Sequence, residues 1–223
     1  MSKLVRGALA APIVAATVLG TVVAQADVAA ASTVVALWHM NETSGTTMVD
    51  SSGHGHNGTL HSVTLGASGF SGKAYSFNGT SSYVSVPNSA GLNPGSANIT
   101  ISFYLSTTSL PKSGDYDLVR KGAYPAQNYK VELLPSGQIM CTFQGSSSRH
   151  NATGGSGLNN GAWHHIQCIK TASQIKTVID GTVRATTNAT VGSISNTSAA
   201  DIGAHPGSDW TKGKLDEVSI TIG

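Results

Sequence analysis

The segment Ile99-Thr100-Ile101-Ser102-Phe103-Tyr104-Leu105 decides the fold class, because every second side chain along it is apolar. Successive side chains of a β-strand point to opposite faces, so the apolar set lies on one face and Thr100, Ser102 and Tyr104 lie on the other. A strand with one apolar face packs that face into a hydrophobic core. The segment therefore predicts a sheet that is covered on one side.

The same alternation recurs along the chain, for example from Ile139 to Phe143 and from Val218 to Ile222. Turn residues separate these runs, and Asp180-Gly181 is typical of a two-residue hairpin. After the N-terminal segment, no long stretch shows a helical period. About a dozen short strands without helices predict two antiparallel sheets packed face to face. Residues 146–157, rich in Gly and Ser, are predicted to form a mobile loop.

The N-terminal 26 residues have the pattern of a secretory signal peptide. Lys3 and Arg6 precede an almost wholly apolar or small stretch, and Ala24-Gln25-Ala26 supplies the small residues that signal peptidase requires. An uncleaved membrane anchor is the alternative, but the stretch is weakly apolar for a span. We expect residues 1–26 to be removed, 27–33 to form a flexible leader, and 34–223 to form one secreted, extracellular domain without membrane insertion.

The charge of the mature chain argues against two classes of partner. The whole chain has 13 Lys and Arg and 11 Asp and Glu. Lys3 and Arg6 belong to the signal segment, which holds no acidic residue, so the remainder has a net charge of zero with His neutral. A neutral protein without a basic cluster has no electrostatic reason to bind nucleic acid or an anionic membrane.

Several segments, in chain order, resemble laminin-G-like domains of the concanavalin A-like type. Asp50-Ser-Ser-Gly-His-Gly-His-Asn-Gly-Thr-Leu60 is similar to their second strand and its preceding loop. The other matching segments are Ala36–Gly45, Ser76–Pro87, Ser109–Pro111, Leu118–Gly122, Trp163–His165 and Gly213–Ile220. The resemblance covers about Val35 to Ile222 and, with the Ala-rich signal, is closest to secreted bacterial members.

The resemblance implies an all-β fold, a two-sheet antiparallel jelly-roll β-sandwich. Members most often bind carbohydrates or proteins, and some carry a calcium ion. Glycosidases and polysaccharide lyases share this fold, so the fold alone does not establish an activity.

The two cysteines are predicted to form a disulfide. Cys141 and Cys168 each alternate in phase with apolar neighbours, which places both in the same core. Export would put them in an oxidising compartment, where an even number of cysteines favours pairing. The alternative is two buried free thiols that pack as small hydrophobic side chains.

A calcium site is a second expectation. The resemblance implies oxygen ligands from Asn78, with Ser82 nearby, and from Asp216, although family members often have Asp in place of Asn78 and Ser82. Asp50 is a further candidate because it lies in a turn. Hard cations bind carboxylate, amide and carbonyl oxygens. The alternative is that Asp50 caps the N–H groups of an Asx-turn and that Asp216 binds backbone donors at a sheet edge.

Aromatic residues in loops indicate a carbohydrate site, because sugar rings stack on flat aromatic rings. Tyr124 lies in the loop Gly122–Tyr129, where Gln127 and Asn128 supply amide groups, and Trp210 lies in the loop His205–Gly213. We predict that Tyr124, Gln127, Asn128 and Trp210 contact a ligand. The alternative for Trp210 is packing under the last strand.

Catalytic patterns are weak in this sequence. Asp216 and Glu217 are adjacent, so on a regular strand they face opposite sides and do not form the carboxylate pair of a glycosidase. We therefore favour a non-catalytic module that binds an extracellular glycan, without predicting its oligomeric state. A polysaccharide lyase or glycoside hydrolase, and a structural or adhesion protein that binds a cell-surface protein, remain the alternatives.

Overall fold

The alternating segments form β-strands in a computed structural model of the protein, which describes residues 31–223. The predicted signal peptide and residues 27–30 of the predicted leader lie outside the described residues. The strands are β1 (Thr33–Trp38), β2 (Thr47–Met48), β3 (Gly58–His61), β4 (Thr64–Ser68), β5 (Lys73–Asn78), β6 (Tyr83–Val86), β7 (Ile99–Ser106), β8 (Tyr116–Lys121), β9 (Asn128–Leu133), β10 (Ile139–Gln144), β11 (Arg149–Gly154), β12 (Trp163–Lys170), β13 (Gln174–Ile179), β14 (Thr182–Asn188), β15 (Ala200–Ile202) and β16 (Lys212–Ile222). One turn of 3₁₀-helix spans Ala90–Leu92.

These strands form two antiparallel sheets, as the sequence predicts. The first sheet has the order β14-β13-β12-β7-β16-β5-β4, and β1 also pairs with β16. The second sheet has the order β11-β10-β9-β8-β15-β6-β3-β2. Hairpin pairs such as β12 and β13 alternate with pairs of strands that are distant in the chain, such as β12 and β7 or β8 and β15, which is the arrangement of a jelly-roll sandwich. No helix within residues 31–223 is long and apolar enough to span a membrane.

The core lies between the two sheets and is built from the apolar side of each alternating strand. The largest aromatic side chains in it are completely buried, and these are Trp38, Tyr75, Phe103, Tyr129 and Phe143. Burial of one such side chain contributes roughly 1.5–3 kcal/mol relative to exposure. The core is continuous from β1 to β16, so residues from both ends of the described chain stabilise the same domain.

Two local predictions have different outcomes. Asp180 and Gly181 both have positive φ, 51° and 72°, as a primed two-residue turn between β13 and β14 requires. The predicted mobile loop at 146–157 is wrong, because its middle forms β11, paired with β10 from Gln144↔Arg149 to Ile139↔Gly154. An edge strand of Asn, Ala, Thr and Gly needs only one partner, so its own sequence shows little apolar alternation.

The predicted disulfide is confirmed and joins the two sheets. Cys141 lies on β10 and Cys168 on β12, and both side chains are fully buried. The cysteines are bonded, with a Cα–Cα distance of 5.5 Å and a sequence separation of 27 residues. The bond therefore crosses the core and ties the second sheet to the first.

Removing this cross-link is expected to destabilise the domain. The double substitution Cys141→Ala/Cys168→Ala should lower the free energy of unfolding by about 3–4 kcal/mol, because a loop of this length restricts the unfolded chain by that amount. Urea denaturation followed by fluorescence measures the change. The oxidised wild-type protein is the control, and an unchanged midpoint in the double variant would contradict the prediction.

Candidate functional site

Three stacked aromatic rings stand on the outer surface of the first sheet. Tyr104 on β7 pairs directly with His165 on β12, and their ring centroids are 4.7 Å apart. Phe70, in the loop between β4 and β5, stacks on Tyr104 with centroids 3.6 Å apart and planes 10° from parallel. Phe70 is 52% exposed although one face of its ring is covered. We call Phe70, Tyr104 and His165 the Phe70 platform.

The loop that carries Phe70 is held by a buried carboxylate. One oxygen of Asp216 accepts the backbone N–H of Ser71 at 2.9 Å, and the backbone N–H of Phe70 also donates to this carboxyl group. Gly69 allows the close approach, because a Cβ there would lie 2.4 Å from the carbonyl oxygen of Lys73 and 2.7 Å from Asp216 Oδ2. Asp216 and Gly69 therefore position Phe70 over Tyr104.

Polar groups surround a cleft of about 530 Å³ beside the platform, lined by His39, Asn41, Phe70, Ser71, Tyr104 and Glu217. His39 Nδ1 lies 2.8 Å from a carboxylate oxygen of Glu217. Glu217 has a φ of 51° and sits in a bulge of β16 between Asp216 and Ser219. The bulge interrupts the regular alternation on which we based the opposite-face prediction for Asp216 and Glu217, and it aims the Glu217 carboxylate at His39.

The cleft combines a flat aromatic ring with several hydrogen-bonding groups. A flat ring packs against the C–H face of a sugar, while carboxylate, imidazole, amide and hydroxyl groups exchange hydrogen bonds with its hydroxyls. Glu217 is the only carboxylate among the described residues that line the cleft. Hydrolysis by the usual mechanism needs two carboxyl groups around the scissile bond, and the described lining of this cleft supplies one.

The three residues predicted to bind calcium, Asp50, Asn78 and Asp216, each accept hydrogen bonds from nearby backbone groups. The carboxylate of Asp50 accepts the backbone N–H groups of Leu37, Ser52 and His56 at 2.8–3.0 Å. Burial favours a higher pKa for Asp50, but these N–H donors outweigh it and hold the pKa below its usual value.

The other two residues of that set are also committed to local donors. Asn78 Oδ1 accepts the N–H groups of Thr80, Ser81 and Ser82 at 2.8–3.2 Å and caps the turn after β5. Asp216 holds the Phe70 loop. Asp50, Asn78 and Asp216 thus each bind their own set of donors, as the capping alternative expects, and a calcium site at these residues stays a prediction.

Three of the four residues predicted to contact a ligand lie in the loop Gly122–Tyr129, and only one of them is free of hydrogen bonds within that region and presented to solvent. Tyr124 is 72% exposed, and the guanidinium carbon of Arg149 lies 5.8 Å from its ring centroid. Gln127 Oε1 accepts the N–H of Ser195 at 2.8 Å. Asn128 is 2% exposed and donates to Ala126 O at 2.7 Å. Gln127 and Asn128 therefore shape the loop, and Tyr124 is the side chain that it presents to solvent.

A buried lysine anchors the loop around Asn196, which contacts Gln127. The Lys121 ammonium group donates to four oxygens, those of Asn88 Oδ1, Asn196 O, Asn196 Oδ1 and Ser198 O, at 2.9–3.1 Å. Burial lowers the pKa of Lys121 to about 8. The oxygen cage compensates for this burial, and Asn196 Nδ2 in turn donates to Gln127 O at 2.9 Å.

Trp210 lies in a different place from Tyr124. Its ring is 5.9 Å from that of Tyr83, at 55°, and Tyr83 stacks on His61 with centroids 4.2 Å apart. Trp210 also lines a cleft of about 470 Å³ together with residues of the 109–116 loop. It therefore packs against its neighbours and borders an open cleft, and the structure does not bring it together with Tyr124, Gln127 and Asn128.

Sequence reasoning does not identify the Phe70 platform. The alternation in β7 places Tyr104 on the outer face, which is the one signal the sequence contains. The pairing of Tyr104 with His165 and the folding of Phe70 over both depend on residues from separate strands and a loop.

The sequence of this chain matches one protein family. The family model described as Concanavalin A-like lectin/glucanases superfamily matches residues 78–221. No curated protein sequence matches this chain.

Solved structures with similar folds include a domain of an extracellular arabinanase and the binding domain of a mosquitocidal protein. Domain 4 of AbnA, a GH43 extracellular arabinanase from Geobacillus stearothermophilus in complex with arabinotriose, has a TM-score of 0.66 and 20% identity, over 86% of this chain and 93% of that one. The binding domain of Paraclostridial Mosquitocidal Protein 1 has a TM-score of 0.68 and 17% identity, over 84% of this chain. This chain spans about half of that toxin domain, 48%.

Domains LG4-5 of the mouse laminin alpha1 chain have a TM-score of 0.54 and 16% identity, over 66% of this chain and 40% of that one. At these identities the structural similarity concerns the fold. The neighbours and the described strands confirm the predicted concanavalin A-like jelly roll.

Loss of the Asp50 carboxylate is expected to destabilise the domain. Asp50→Ala should lower the free energy of unfolding by about 3 kcal/mol, because it leaves several N–H groups of a part-buried turn without acceptors. Asp50→Asn, which keeps one oxygen acceptor, should cost less. Urea denaturation of both variants provides the comparison, and equal midpoints for wild type and Asp50→Ala would contradict the role.

The Asp50 contribution should also depend on pH. Its folded pKa is lowered, so the stabilisation is complete above about pH 4 and is lost as the pH falls through the folded value. The difference in unfolding free energy between wild type and Asp50→Asn should therefore shrink in acid. A difference that grows as the pH falls would contradict this sign.

Proposed function

Because the chain belongs to the concanavalin A-like lectin/glucanases superfamily, we propose that it is a secreted, non-catalytic module that binds extracellular carbohydrate on the Phe70 platform. The observation that carries the proposal is the exposed ring of Phe70, stacked on Tyr104 beside a cleft lined by His39, Asn41 and Glu217. Secretion is supported by the signal-like residues 1–26 and by a disulfide, which forms in oxidising compartments.

The similar domains support a binding function of this kind. The arabinanase domain is in complex with arabinotriose, and a related binding domain, that of Botulinum Neurotoxin DC, is in complex with SialylT. The same kind of toxin domain is also in complex with rat synaptotagmin II, so a protein ligand is the alternative outcome of a binding experiment. The aromatic and polar composition of the cleft favours the carbohydrate.

Phe70 and Tyr124 are both exposed aromatic side chains that a ligand could contact. Substituting each of them gives a matched pair of variants. Phe70→Ala removes the exposed ring of the platform, and Tyr124→Ala removes the exposed ring of the rim loop. Each truncates one solvent-exposed aromatic side chain of a loop, so neither is expected to unfold the domain. A difference between them would therefore report the location of the ligand.

We expect Phe70→Ala to weaken binding of the preferred oligosaccharide about tenfold or more, since loss of a stacking contact costs on the order of 1–2 kcal/mol. Tyr124→Ala should bind as the wild type does. The ligand is identified first by affinity electrophoresis against polysaccharides that include arabinan, and affinities are then measured by calorimetry. Absence of wild-type binding to any glycan, or a loss confined to Tyr124→Ala, would overturn the assignment.

A second variant tests how the platform is positioned. Gly69→Ala keeps every polar and aromatic side chain of the cleft but places a Cβ where it meets Lys73 O and Asp216 Oδ2. The Phe70 loop must then move, so glycan affinity should fall severalfold. Gly157→Ala is the control, because a Cβ there meets no atom within 4 Å and only the residue's own backbone, with a φ of 73°, is strained. Equal glycan affinities for the two variants would contradict the positioning role.

A further inference from the structure

Four carboxylates gather where β8 and β9 meet the loop before β16, on the second sheet. They are Asp115, Asp117, Glu132 and Asp209, which we call the acidic cluster. Oxygens of Asp115, Asp117 and Glu132 lie within 4.8 Å of one another, and the same limit holds for Asp117, Asp209 and a nitrogen of His205. Asp117 belongs to both groups and is therefore the centre of the cluster.

Backbone pairing fixes the positions of these residues. Asp117 on β8 is directly opposite Glu132 on β9. The N–H of Asp117 donates to the carbonyl oxygen of Asp209 at 3.0 Å, and Thr211 Oγ1 donates to the carbonyl oxygen of Asp117 at 2.9 Å. Asp209 has a φ of 52°, an unusual conformation for a residue other than glycine. The arrangement is thus built by two strands and one constrained loop.

Two oxygens of the cluster are buried and have no hydrogen-bond partner. They are Asp115 Oδ1 and Asp117 Oδ1, and Asp117 is only 1% exposed. The second oxygen of Asp117 pairs with Arg120, and the oxygens of Glu132 pair with Lys130 and Thr142. A buried carboxylate oxygen without a donor is costly, on the order of 1–3 kcal/mol or more, and such orphans in a folded protein indicate a missing partner.

The charge balance indicates that the missing partner is positive. Four carboxylates face two buried or half-buried cations, Arg120 and Lys130. Lys112 and Lys212 line the outer part of the adjoining cleft, where both are exposed and screened by solvent.

We propose that the acidic cluster binds one hard divalent cation, of the calcium type, with Asp115, Asp117 and Glu132 as its carboxylate ligands and Asp209 beside them. The two orphan oxygens point to the coordination position, and oxygen-only ligands are those that calcium prefers. The cation enters from the cleft of about 470 Å³ that Asp115, Asp209 and Trp210 line, and water completes its coordination.

This site is separate from the proposed glycan site and from the residues first expected to bind calcium. The Phe70 platform is on the outer face of the first sheet, and the acidic cluster belongs to the second sheet. Asp50, Asn78 and Asp216 take no part in it. The test of the cation proposal therefore does not depend on the outcome of the glycan-binding test.

The test is a metal titration of the purified protein after treatment with EDTA, at pH 8. Calcium at about 100 times its dissociation constant should raise the melting temperature by roughly 5–10 °C, because it binds only the folded domain. Terbium, a luminescent calcium substitute, should show emission sensitised by the nearby Trp210, and calcium should displace it. An unchanged melting temperature with millimolar calcium and no sensitised emission would overturn the proposal.

Matched variants identify the ligands. Asp115→Asn should melt at the same or a higher temperature than wild type without metal, because it removes a repelling charge, and it should lose the calcium response. Asp180→Asn, an exposed acid paired with His164 on the first sheet, and Phe70→Ala should both keep the full response. An equal response in Asp115→Asn, or a response to zinc alone that His205→Ala abolishes, would overturn the oxygen-ligand assignment.

Discussion

The exclusion of water from the space between the two sheets is the constraint on which the rest of the structure depends. Each strand that contributes a side chain to this core must present the next one to the outside. Tyr104 is on the outer face of the first sheet because Phe103 and Leu105 point into the core. Glu132 is on the outer face of the second sheet because Val131 and Leu133 point into the core, although neighbouring side chains cover it. The aromatic platform and the acidic cluster are thus both consequences of how the core is filled, and the Cys141–Cys168 bond holds the two faces in a fixed relation.

Departures from regular strand geometry occur where the outer faces acquire chemical groups. Glu217 lies in a bulge of β16 with positive φ, and Asp209 adopts positive φ beside the acidic cluster. A left-handed conformation of a residue other than glycine costs of order 1–3 kcal/mol. The core and the hydrogen bonds around these residues offset that cost. As a result, the carboxylate of Glu217 points in a different direction from the one that regular strand alternation would give it.

Several polar residues of the types that bind ligands instead form hydrogen bonds with backbone groups of turns and loops. Asp50, Asn78 and Asp216 accept N–H groups of turns and loops, and the Lys121 ammonium group donates to four oxygens that join separate loops. Loops have no ladder partners, so their N–H and C=O groups must be satisfied by side chains or water. The acidic cluster differs from these residues because two of its buried oxygens lack any such donor. A polar side chain whose atoms all have hydrogen-bond partners supports the backbone, whereas a buried polar atom without a partner marks a candidate site. Residue type alone does not make this distinction.

The sequence by itself determined the all-β class, the hairpin at Asp180-Gly181, the family resemblance and the buried pairing of Cys141 with Cys168, because alternation and turn chemistry are properties of neighbouring residues. It failed at β11, whose strand character comes from its pairing with β10. It also separated residues that the fold unites: Phe70 with Tyr104 and His165, and Asp115 and Asp117 with Glu132 and Asp209. Only the tertiary structure decided these groupings, because strand order and register bring together side chains that are up to about a hundred positions apart, and local patterns carry no record of that pairing.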